Sequence, residues 1–196
     1  MHSTSRLEAF SDGVIAIAIT LLVLEVGIPH VGERIALSAA LRHEWPSYFA
    51  YVVSFVTIGV MWWNHHELFE DMTGADHTLM LLNLMLLMCI AFIPFPTALV
   101  GEYIRDRNNE TTALVVYGCS YIATAVAFNA LWLYAAYGAR LLRPDMNPDR
   151  IRVRTLRYLP GTPLYAIATG LAFVSPWVSL AMFGAMAALY MLPTPE

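Results

Sequence analysis

Six apolar stretches of helix length, joined by polar or proline-containing connections, leave this chain few ways to fold outside a bilayer. A helix that crosses the hydrocarbon core needs about 20 predominantly apolar residues. The stretches run from about Ser5 to Ile28, Pro46 to Phe69, Thr78 to Tyr103, Thr111 to Leu142, Pro163 to Val174 and Pro176 to Leu192. Of 196 residues, 58% are hydrophobic and 13% are charged, and the mean hydropathy is +0.57. A soluble domain carries about a quarter charged residues, so this chain has too little polar surface to cover itself in water. The expected fold is an all-α integral membrane protein with six transmembrane helices, a single unit over residues 1–196. The fifth stretch is short for a span, and Pro160 and Pro163 remove backbone donors near its start, so a break is expected there. Between the first two stretches, Val31 to Glu44 sets Ile35, Leu37, Ala40 and Leu41 among charges, which suits a short interfacial helix.

The net charge of −4 gives no reason to expect a nucleic-acid partner. Cys89 and Cys119 each sit inside an apolar run and read as small packing residues rather than a disulfide or zinc framework. Arg6 precedes an apolar stretch, but Asp12 interrupts it and no cleavage region follows before Glu25, so the first helix is expected to stay in the mature protein. Orientation follows from the arginines. Arg140, Arg143, Arg150, Arg152, Arg154 and Arg157 crowd the connection before the fifth helix, and the connection between the second and third has none. Positive loops stay cytoplasmic. Six spans then put both termini inside, in the cell's inner (plasma) membrane.

The first helix carries polar groups that lipid does not tolerate alone. Ser5 and Glu8 have the spacing of a capping box, which places the helix start near Ser5. Asp12 then lies about two turns in, where a carboxylate must face protein or water and find donors. Trp62, Asn64, His65 and His66 close the second helix at the same depth, and Asn83 lies near the start of the third. Indole, imidazole and amide groups can all donate to a carboxylate or a serine oxygen. Such bonds between helices contribute about 0.6 to 2 kcal/mol each. The competing reading is an interfacial Asp12 that reaches water.

The cluster His65-His66-Glu67 also invites a metal reading. Adjacent histidines on a helix point about 100° apart, unlike the i, i+4 pair that grips one zinc ion. No third ligand stands at a telling spacing, so neither a metal site nor a catalytic residue is assigned. Beyond Asp12 the first helix is apolar, with Ile17, Leu21 and Leu24 on one face and Thr20 beside it. Such a stripe serves packing, but rings of apolar side chains from several subunits can also gate a pore by dewetting.

Arg6, Phe10, Ser11 and Asp12 form a motif that resembles the first helix of the transmembrane protein 175 family of potassium channels. The resemblance continues through Trp62, His65, His66, Leu68 and Phe69, then Asn83, Pro94 to Leu99 and Gly101 to Tyr103, and so covers roughly the first hundred residues. It implies a single six-helix unit assembling as a homotetramer, with the first helix of each subunit lining a central pore. Ile17 falls at the constriction, Leu21 and Leu24 at the pore-facing positions that follow, and Thr20 at a hydroxyl layer associated with ion preference. Arg6, Phe10, Ser11 and Asp12 would hold that helix in register through Trp62, His65 and Asn83, without touching the ion. Potassium is then the permeant species, and no cofactor is implied. A proton- or sodium-coupled secondary transporter is the alternative, and sparse polarity at mid-helix weighs against it. A membrane enzyme built on His65, His66 and Glu67, or a purely structural scaffold, are further alternatives.

Overall fold

The computed structural model describes residues 4–29, 36–137 and 141–191. Arg140, Leu192 and the first part of the expected interfacial helix, 31–35, lie outside the described residues. All regular structure in the described residues is helical apart from one isolated bridge, between Met72 and Leu142. The helices are α1 (Thr4–Leu21), prolonged by a 3-10 turn (Leu22–Glu25), α2 (Leu37–His43), α3 (Trp45–Glu70), α4 (His77–Phe92), α5 (Pro94–Tyr103), α6 (Glu110–Ala136), α7 (Pro148–Tyr158), α8 (Gly161–Leu171) and α9 (Pro176–Met191).

Among the described residues, four segments are long and apolar enough to cross a membrane: Thr4–Glu25, Trp45–Glu70, His77–Tyr103 and Glu110–Ala136. The third of these was expected as one helix and is divided at Ile93, because Pro94 and Pro96 supply no amide to the turn before them. Just beyond the break Thr97 donates both its backbone N–H, at 3.1 Å, and its hydroxyl, at 2.9 Å, to the Ile93 carbonyl. α8 and α9, with 11 and 16 residues, fall short of the span length. The break expected before the fifth stretch lies at Leu159 and Pro160, between the arginine-rich α7 and the apolar α8.

α6 forms the spine of the subunit, packed on α4, α5 and α8. Tyr117, Tyr121 and Trp132 on its inner faces are fully buried. In a hydrocarbon surround their polar groups need partners inside the protein, and the Trp132 indole donates to Thr155 Oγ1 at 2.9 Å. Ser54 lies 2.8 Å from Thr97 and 3.0 Å from the Tyr117 hydroxyl, which donates on to Tyr121 at 3.3 Å. This chain of hydroxyls joins α3, α5 and α6 inside the subunit. α6 and α8 approach closely because Gly118 has no side chain: a Cβ there would lie 2.0 Å from Thr169 Oγ1.

Aromatic residues mark both ends of α3. Trp45 stacks on Trp177 at one end, with centroids 5.5 Å apart, and Trp62 and Trp63 are exposed at the other. Such rings favour the two membrane–water interfaces.

Candidate ion pathway and its polar anchor

α1 has two unlike faces. Ser11, Ile15, Ala18 and Leu22 are buried against the rest of the subunit, which meets α1 through α3, α4 and α5. The opposite face is bare. Phe10 is 53% exposed, Ile17 61%, Leu21 41% and Leu24 72%. Thr20 shares this face, and its hydroxyl donates to the Ile17 carbonyl at 2.9 Å, which turns its lone pairs outward. Gly13 has nothing within 4 Å of its would-be Cβ, so the bare strip is unobstructed along that turn.

The buried face is anchored by polar bonds to α3 and α4. The Ser11 hydroxyl donates to the Leu7 carbonyl at 2.8 Å and accepts from Asn83 Nδ2 at 2.9 Å. With its amide nitrogen engaged there, Asn83 presents Oδ1 to His65 Nε2 at 2.9 Å, so Nε2 carries the proton and donates. Ser11, His65 and Asn83 are all fully buried, and the His65 ring stacks on Phe69 at 4.4 Å. A sequence of three side chains thus ties α1, α4 and α3 together.

A second set of bonds lies one turn away. Trp62 Nε1 donates to Asp12 Oδ1 at 2.8 Å. His66 Nδ1 lies 2.7 Å from Glu8 Oε1, and its Nε2 lies 3.6 Å from Glu70. Trp62 stacks on His66, with planes 18° apart, so the two contacts support each other's ring positions. Both histidines therefore join α1 to α3 or α3 to α4, along separate routes. Arg6 and Phe10 stand apart: Phe10 lies on the bare face, and among the described residues no side chain pairs with Arg6.

Asp12→Asn keeps an acceptor for Trp62 but removes the charge. Charged hydrogen bonds exceed neutral ones by about 1 kcal/mol, so a thermal midpoint lower by a few degrees is expected, with unchanged ion preference. A variant as stable as the parent would show that the Asp12 charge contributes nothing to the anchor.

The sequence reading missed a cluster at the same end. The Arg154 guanidinium sits 2.6 Å from Asp71 Oδ2 and 3.8 Å from Glu67, and also donates to the Glu67 carbonyl at 3.0 Å. Arg157 lies 3.9 Å from Glu67 and Arg150 3.8 Å from Asp71. The loop 141–143 is pinned alongside by Thr73 N–H to Leu141 and Arg143 N–H to Asp71, both at 2.9 Å. The arginine-rich α7 is thereby docked on the end of α3. The available signal was Glu67, Glu70 and Asp71 closing a helix that topology sends to the arginine side.

The family described as endosomal/lysosomal potassium channel TMEM175 matches residues 6–94. A potassium channel of Streptomyces collinus is 43% identical over 190 residues, covering 97% of this chain and 92% of its own length. A potassium channel of Chamaesiphon minutus is 42% identical over 191 residues, covering 96% and 94%. The crystal structure of a lysosomal potassium-selective channel TMEM175 homolog from Chamaesiphon minutus superposes with a TM-score of 0.87 at 40% identity, over 95% of each chain. The matched region contains α1, α3 and α4 with every residue of the polar anchor, and the chain belongs to the TMEM175 family of channels.

Proposed function

We propose that this chain is the subunit of a potassium-conducting channel in the plasma membrane, passive and homotetrameric, with four copies of α1 around the pore. The observation that carries the proposal is the bare face of α1, where Ile17, Leu21 and Leu24 line up beside the outward-turned Thr20 hydroxyl. The potassium-channel names of relatives similar over nearly the whole chain support it. Ile17 is the constriction: four copies make an apolar ring that water leaves readily, and a cation passes when the ring widens. Thr20 supplies a polar layer next to it. Sodium holds its hydration shell more tightly than potassium and crosses less readily.

Ser11, Asp12, Trp62, His65 and Asn83 set the axial and rotational position of α1, so that the aliphatic side chains aim at the axis. Arg6 and Phe10, which have no place inside one subunit, act between subunits at the cytoplasmic mouth. α8 and α9 complete six crossings, with α7 and both termini on the cytoplasmic side, where six arginines around α7 satisfy the positive-inside rule.

The test is the reversal potential of purified protein in a planar bilayer, with potassium on one side and sodium on the other. A steady current reversing toward the potassium equilibrium potential is expected. Intact oligomers that pass no current, but take up potassium into liposomes under a proton gradient, would replace the channel by a transporter.

A further inference from the structure

Between α3, α6, α8 and α9, away from the bare face of α1, lies a cavity of ≈ 70 Å³. Its walls are largely apolar, with Val60, Met61, Phe128 and Ala187 among them. Three polar atoms that line it have no hydrogen-bond partner among the described residues: Asn64 Oδ1, Asn129 Oδ1 and the Tyr158 hydroxyl. Asn129 and Tyr158 are each only 8% exposed. The Asn129 amide is oriented by its own bond, because Nδ2 donates to Thr162 Oγ1 at 3.1 Å and so leaves Oδ1 for the cavity. Thr57 and Thr124 also line the space, and their hydroxyls donate to Val53 and Ser120 of their own helices. Their lone pairs remain available to accept, whereas the Tyr158 hydroxyl can donate as well as accept.

The two unpartnered amide oxygens can only accept, and a buried acceptor without a donor is unfavourable. An occupant must bring N–H or O–H groups. It must also be uncharged. Arg157, at the margin, disfavours a cation, and the acidic group paired with that arginine, Glu67 at 3.9 Å, is also held by Arg154. An anion would meet the amide oxygens. At this volume the space is about half of the roughly 150 Å³ cavity that admits benzene, so it suits a few waters or one occupant of about five or six heavy atoms.

We propose that this cavity is a binding site for a small uncharged alcohol, whose hydroxyl donates to Asn129 or Asn64 and whose apolar body lies against Met61, Phe128 and Ala187. Apolar walls with a few convergent polar groups are the usual make-up of such sites. The site is intrasubunit, so the proposal stands or falls independently of ion conduction.

Fluorine NMR titration of the full chain in lipid nanodiscs tests it, with 2,2,2-trifluoroethanol as the probe and 1,1,1-trifluoropropane as its counterpart without the hydroxyl. Saturable binding of the alcohol is expected, about tenfold tighter than that of the trifluoropropane. Asn129→Leu should erase the tenfold difference, and Ala125→Phe, at the half-buried rim, should abolish saturation. Equal, unsaturable partitioning of both probes into the disc would overturn the proposal and leave a water-filled space. Saturable binding with no preference for the hydroxyl would overturn it equally. The two-probe comparison on the parent protein decides the matter even if Asn129→Leu does not fold.

Discussion

Asn83→Leu is expected to lower the thermal midpoint of the solubilised protein by roughly 5–10 °C, with part of the population lost from the oligomer peak. Asn83 is fully buried and holds both neighbours at 2.9 Å. Leucine fills nearly the same volume but leaves the His65 Nε2–H with no acceptor, and Ser11 with one bond fewer. A buried donor left unpaired costs about 1–3 kcal/mol, and the lost bond to Ser11 adds about 1 kcal/mol. In a protein of this size each kcal/mol corresponds to about 2–4 °C. The discriminating variant is the double substitution Asn83→Leu with His65→Leu. Replacing both partners by apolar groups removes the orphan, so the double variant should recover part of the loss. Equal stability of Asn83→Leu and the parent protein would remove the anchor from the account. A double variant worse than the sum of the singles would replace pairing by simple packing at this site.

Sequence made the helices visible where hydropathy is decisive, and the anchor visible where a polar side chain has no business in lipid. Ser11, Asp12 and Asn83 drew attention because a bilayer makes unpaired polar groups costly. The pairing itself was not legible. Trp62, His65 and His66 sit on successive faces of one helix, and the allocation of His65 to Asn83 and His66 to Glu8 depends on how α1 and α4 straddle α3. Glu8 read as half of a capping box, yet its carboxylate reaches across to His66, a contact no local pattern encodes. The arginines before the fifth helix read as a topology signal, and nothing in their spacing indicates that Arg154 lies on Asp71 at 2.6 Å. Near the C-terminus the short fifth helix and the break before it were legible from Pro160 and Pro163, and α8 spans 11 residues, Gly161–Leu171. The cavity beside Asn129 escaped altogether, since an orphaned amide is a property of three-dimensional surroundings.

Ile17→Asn should raise sodium permeation several-fold relative to potassium and move the bi-ionic reversal potential toward zero. Ile17 is 61% exposed and takes no part in the buried face of α1, so the substitution removes little from the subunit's own core. Its effect is confined to whatever the bare face meets. If that face lines a pore, four asparagine side chains place carbonyl oxygens and amides where only methyl groups stood. Water then stays in the constriction, and a sodium ion keeps more of its hydration shell while crossing. The penalty that separates the two cations shrinks. Ile17→Val, which keeps the ring apolar and shortens it by one methyl group, should raise conductance while largely preserving the preference. Ion ratios unchanged by Ile17→Asn in intact oligomers would dismiss Ile17 as the constriction. Phe173→Asn, at a residue 73% exposed in the turn after α8, which packs on α6 and α9, provides the control. A lipid-facing asparagine there should alter insertion or stability and leave permeation untouched, because only a residue in the path of the ion can change its hydration.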